Sequence, residues 1–99
     1  MKLEWSAFAT SDRTSIFDYL ERESPAAAIK VDTLLTVAAD RLKRFPEIGR
    51  PGRIKNTREL VVLKTPYIIA YRLTDDVIRI LRILHGAIQW PDDLPDDPS

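Results

Sequence analysis

Apolar and polar residues alternate only briefly at the start of the chain, where Leu3-Glu4-Trp5 reads as a short strand. The period then lengthens. Phe8, Asp12, Ile16, Tyr19 and Leu20 recur at three or four residues and mark one narrow stripe on an otherwise polar helix. Ser24-Pro25 restarts the chain, since serine caps orphan amides and proline fits the first helical turn, where its missing N–H is no loss. The second helix is the clearer one: Ala28, Val31, Leu35, Ala38, Leu42 and Phe45 alternate at three and four residues until Pro46 stops them. So short a link between the two periods predicts an antiparallel helical hairpin.

After Phe45 the pattern changes. Residues 46–53 hold two prolines and two glycines and read as turns rather than helix. Three β-rich runs follow at 59–63, 67–73 and 77–84, separated by Lys64-Thr65-Pro66 and Thr74-Asp75-Asp76, which are short enough for hairpins. The last run is apolar on both faces apart from Arg79 and Arg82, as expected of a central strand covered by helices on one side. The expected fold class is α+β, in the order β-α-α-β-β-β, with a small, mainly antiparallel sheet backed by an N-terminal helical hairpin. Residues 1–91 form the domain, and 92–99 an acidic, flexible tail.

Charge sharpens this division. The formal net charge of zero hides four aspartates, Asp92, Asp93, Asp96 and Asp97, among the last eight residues. Residues 41–82 carry eleven bases against four acids, so the strand-rich half is a basic body suited to an anionic partner, or simply a solvated charged face. With no cysteine there is no disulfide framework, thiolate metal site or thiol nucleophile. No apolar run reaches the roughly 18 residues of a membrane span, and the N-terminus lacks the apolar region of a signal peptide, so a bacterial cytoplasm is the expected location. No metal cluster, Ser/His/Asp arrangement or nucleotide loop is visible, and no cofactor is expected.

Four segments in order resemble the RelE/ParE superfamily, the toxins of bacterial type II toxin–antitoxin modules. They are Phe45-Pro46-Glu47-Ile48-Gly49-Arg50-Pro51-Gly52, Arg58-Glu59-Leu60-Val61-Val62, Pro66-Tyr67-Ile68-Ile69-Ala70-Tyr71-Arg72 and Arg79-Ile80-Leu81-Arg82-Ile83-Leu84-His85-Gly86-Ala87. The resemblance covers residues 2 to 90 and lies closer to the ParE-like branch. It implies a toxin that inhibits growth and serves plasmid maintenance, neutralised by a cognate antitoxin that wraps the hairpin and sheet. It implies no membrane partner, and a homodimer or toxin–antitoxin hetero-oligomer as the assembly. ParE-like members poison DNA gyrase. RelE-like members cut mRNA on the ribosome, and an inactive, antitoxin-binding relative is the third reading.

Cleavage of RNA by its own 2′-OH needs a base, an acid and cations for the phosphate. Nuclease members resemble one another in an arginine just after the tyrosine of the third strand and, past the last strand, another arginine with an aromatic or histidine. Here Ile68 follows Tyr67, and the chain beyond the last strand reads Gly86-Ala87-Ile88-Gln89. Ile88 stands where many ParE-like relatives carry arginine. The catalytic candidates that remain are His85, which can exchange protons near neutral pH or simply bond to backbone at a turn made by Gly86, with Arg72 and Arg58. Arg72 lies five residues beyond Tyr67 and points to the opposite face. Candidates for contact with target or antitoxin are Arg50, Arg53 and Lys55 in a basic loop, Arg79 and Arg82 on the last strand, and Trp90, which as readily packs the tail to the body. Three apart on one strand, Arg79 and Arg82 are expected on opposite faces, and an arginine in mid-strand needs a partner. The tail aspartates are a candidate cover for this arginine surface.

Overall fold

The computed structural model describes residues 1–96 and contains β1 (Lys2–Trp5), α1 (Ala7–Glu21), α2 (Pro25–Arg41), β2 (Arg50–Pro51), β3 (Arg58–Val61), β4 (Tyr67–Thr74) and β5 (Val77–His85). Both helices begin at a serine cap, Ser24 as the sequence suggests and Ser6 without a prior signal. Ser6 Oγ accepts the Ala9 N–H at 3.0 Å and Ser24 Oγ that of Ala27 at 3.2 Å, with Pro25 at the first helical position. Arg13 and Asp32 join α1 to α2 through two hydrogen bonds of 2.7 and 2.9 Å. Leu42, just past α2, is fully buried, but Phe45 leaves the helical stripe and is 49% exposed. Proline disfavours helical backbone in the residue before it, so Phe45 turns away ahead of Pro46.

One sheet runs β1-β5-β4-β3-β2, with β1 parallel to β5 and every other pair antiparallel. The two-residue β2 lies where the sequence reads as turn. It pairs Arg50 with Glu59 and Pro51 with Arg58, and an edge position tolerates the missing proline N–H. The β3–β4 and β4–β5 turns use positive φ at Lys64 and Asp75. Leu35, Ala39 and Leu42 from the helical side meet Tyr67, Ile69, Tyr71, Ile78, Ile80 and Ile83 from the sheet to form the main core.

The opposite face is also covered. Residues beyond β5 run back across it, and Trp90 and Leu94, 8% and 1% exposed, pack with Ile68, Ala70, Leu81 and Leu84 in a second apolar cluster. Within the segment expected as a tail, Leu94 is thus buried and Asp96 pairs with Arg79. Residues 97–99, including the fourth tail aspartate, lie outside the described residues.

Candidate functional site

The basic loop after α2 is organised by one buried carboxylate. Glu59, 3% exposed, accepts from Arg50 at 3.0 Å, from the Arg53 backbone N–H at 2.8 Å, and from the Arg53 guanidinium at 3.1 and 3.2 Å. Burial pushes its pKa up, but the bonds from Arg53 and Arg50 outweigh this and hold it below the usual carboxylate range. Arg53 also lies over the Trp90 indole, 3.7 Å from the ring centroid. The loop's other anchor is Tyr71, fully buried, whose phenol accepts the Gly49 N–H and donates to the Pro46 carbonyl, both at 2.9 Å. A side chain at 49 would place its Cβ 2.6 Å from that phenol oxygen, which accounts for glycine there. Neither Glu59 as a hub nor Tyr71 as a clamp is apparent from local pattern, because both contacts span loop and sheet.

Register settles the sheet arginines. Arg72 sits opposite Arg79, and Ala70 opposite Arg82, while Tyr71 faces Ile80. Leu81 is therefore an extra residue, a bulge that shifts strand parity by one. The expectation that Arg79 and Arg82 lie on opposite faces is corrected: both register with the face turned away from the helices. Each has an internal partner. Arg79 pairs with Asp96 and with Glu4, and Arg82 forks onto Asp12 at 2.7 and 2.9 Å. Asp12 also accepts the Ile83 N–H at 2.9 Å, while Ser6 Oγ donates to the Leu81 carbonyl at 2.8 Å, so α1 closes the open edge of β5.

The three catalytic candidates do not converge. Arg58 registers with Tyr71 on the helical face and donates to the Gly49 carbonyl at 2.8 Å. The Arg72 side chain, on the other face, makes no hydrogen bond or ion pair among the described residues, and with Lys55 it lines an open cleft bounded by Gly52, Thr57 and Thr74. His85 lies opposite Tyr67, five residues from Arg72 along β4, a strand distance of roughly 16 Å. Its Nδ1 accepts the Ala87 N–H at 3.0 Å, and its ring stands edge-on to Tyr67 with centroids 5.8 Å apart. Burial, reinforced by Tyr19, pushes the Tyr67 phenol above its usual range, so it stays protonated at neutral pH. Gly86 adopts no positive φ, so the turn after His85 does not depend on left-handed backbone. Trp90, a contact candidate, is buried instead, and its Nε1 donates to the His85 carbonyl at 3.3 Å.

A further surface is apolar and exposed. Val37, Val61 and Leu63 are 54%, 44% and 75% exposed. With Leu34, Ala38, Arg41 and Leu60 they line a groove between α2 and the outer edge of β3. β2 covers only Arg58 and Glu59 of that edge. The run Leu60-Val61-Val62-Leu63 carries the signal, being apolar at every position where a half-buried strand would alternate.

Residues 3–90 match the family profile described as ParE toxin of type II toxin–antitoxin system, parDE. The chain belongs to this toxin family. A Sinorhizobium fredii protein named "Putative toxin Y4kP" is 43% identical over 90 residues, covering 91% of this toxin and 93% of the relative. Toxin RelE2 of Caulobacter vibrioides is 42% identical over 83 residues, covering 84% and 92%. A solved structure described as a chromosomal ParDE system from P. aeruginosa superposes with a TM-score of 0.70 at 27% identity, covering 84% of this toxin and 92% of that chain. The α+β order expected from the sequence is the order of the toxin's fold. Among the described residues no helix is long and apolar enough to cross a membrane.

Proposed function

We propose that this toxin acts in the cytoplasm as a ParE-like poison of DNA gyrase, a non-enzymatic inhibitor of growth that supports plasmid maintenance. The observation that carries the reading is the separation of Arg58, Arg72 and His85 onto different faces and ends of the sheet. A hydroxyl deprotonated at one point and a phosphate stabilised on another face gain nothing from each other, because acid–base work needs all groups within hydrogen-bond reach of one substrate. The buried Ile68 in the position after Tyr67 supports the same reading.

Membership of a toxin–antitoxin family implies a cognate antitoxin. The groove between α2 and the edge of β3 is the seat we assign to it: exposed apolar side chains beside unpaired strand edge suit a segment that orders on binding. The second reading, a ribosome-dependent endoribonuclease, draws on one observation: Arg72 and Lys55 are uncommitted cations lining the same cleft. Purified toxin tested for gyrase-mediated DNA cleavage and for mRNA cleavage in a translating extract separates the two. Gyrase-dependent breaks that persist in His85→Ala are expected. Loss of an mRNA-cleaving activity in His85→Ala or Arg72→Ala would replace the first reading with the second.

A further inference from the structure

The C-terminal segment is held differently from the rest of the molecule. Among the described residues, no backbone–backbone hydrogen bond joins residues 89–96 to the sheet. The attachments are made by side chains. Trp90 donates to the His85 carbonyl at 3.3 Å and lies under the Arg53 guanidinium. Leu94 is 1% exposed, and Asp96 pairs with Arg79. Opening of such a segment breaks side-chain contacts but no ladder bond of the sheet it covers.

Beneath it lies a floor of Ile68, Ala70, Leu81 and Leu84. Arg79 and Arg72 stand opposite each other at its rim, and Arg53 closes the loop side. Like charges directly opposite repel, and Asp96 with Glu4 offsets that repulsion in the closed state. An apolar floor with a guanidinium rim selects for a ligand that is apolar at its centre and anionic at its edge. A nucleic-acid backbone would satisfy the rim and leave the floor in water.

We propose that this sheet face is a docking surface for an acidic protein segment with two apolar anchors four residues apart and a carboxylate two residues beyond the second. Residues 90–96, with Trp90, Leu94 and Asp96 at that spacing, occupy the surface in cis, and a partner binds by displacing them. The proposal stands independently of whether gyrase or mRNA is the toxin's target.

The test uses the full chain with Trp5→Phe, which leaves Trp90 as the only tryptophan. A Leu94→Asp/Asp96→Lys variant removes plug and latch. Acrylamide should then quench Trp90 more strongly while far-UV circular dichroism is retained. A labelled synthetic peptide of residues 88–99 should bind this variant about tenfold or more tighter than the Trp5→Phe chain, where the cis segment competes. Adding Arg79→Ala should abolish the binding. Equal peptide binding to both chains, no binding to either, indifference to Arg79→Ala, or competition by duplex DNA as effective as by unlabelled peptide would each overturn the proposal. Should the double variant fail to melt cooperatively, Asp96→Asn decides. Trp90 quenching should rise with salt in the Trp5→Phe chain and be high at every salt concentration in Asp96→Asn. The same low, salt-independent quenching in both would sink the idea.

Discussion

Tyr71 shows how one hydroxyl holds a loop to a sheet. Its phenol satisfies the Gly49 N–H and the Pro46 carbonyl at once, with no exposure to water. Tyr71→Phe leaves both backbone groups unpaired, and chemical denaturation should report a loss of about 1–3 kcal/mol. Gly49→Ala should cost at least as much, because the added methyl meets the phenol itself. An unchanged denaturation midpoint in Tyr71→Phe would mean that the loop is held by other contacts. Glu59 makes a pH-dependent prediction. Its folded pKa is depressed by Arg53 and Arg50 despite burial, and Asp32 is depressed by its bonds to Arg13. Both groups therefore contribute stability that is complete above the unfolded carboxylate range, about pH 4, and is lost as pH falls through the lower folded values. Glu59→Gln should weaken the fold at neutral pH and flatten the acid limb of a plot of melting temperature against pH. An acid limb as steep as that of the unmodified toxin would locate the titrating group elsewhere.

At the scale of elements, the order of strands and helices is legible because the hydrophobic period changes abruptly at each boundary. Ser6 and Ser24 cap helices that the apolar spacing already outlines. The bulge at Leu81 is not legible, for a local reason. Ile80-Leu81 and Ile83-Leu84 are apolar on both faces, so inserting one residue leaves no break in the alternation. Only the pairing with β4 reveals that Arg79 and Arg82 share a face. The two-residue β2 is hidden similarly, since Pro51 and Gly52 carry a turn signal and pairing with β3 makes the strand. The edge of β5 depends on Asp12, which serves Arg82 and the Ile83 N–H together. Asp12→Ala should destabilise the toxin by about 1.5–3 kcal/mol. Asp12→Asn, which keeps the size and one acceptor oxygen but loses the charge and the second acceptor, should cost less in the same melt. Equal losses would show that the charge carries the whole contribution.

Across the whole molecule, the basic second half is far less available than its charge count suggests. Arg50 and Arg53 are committed to Glu59, Arg58 to loop carbonyls, Arg79 to Asp96 and Glu4, and Arg82 to Asp12. Lys55 and Arg72 line one open cleft, and neither side chain has an ion pair among the described residues. Long-range phosphate binding should accordingly depend on these two. Lys55→Ala/Arg72→Ala should reduce nonspecific DNA retention and its salt dependence, whereas Arg50→Ala should lower stability more than retention. Retention that instead tracks Arg50 would show that the Glu59 cluster is open in solution.

The sequence by itself determined the β-α-α-β-β-β order, the Ser24 cap, the basic half and the acidic end, and it carried the family resemblance. These follow from local periodicity and composition, which each segment expresses without knowing its neighbours. Tertiary structure alone decided the rest: that His85, Arg72 and Arg58 are kept apart, that Arg50, Arg53, Arg79 and Arg82 are spent on internal carboxylates, and that Trp90 and Leu94 build a second core. Each of these rests on strand register or on a contact between residues distant in sequence. A single bulge or a buried carboxylate changes the outcome there without altering the pattern along the chain.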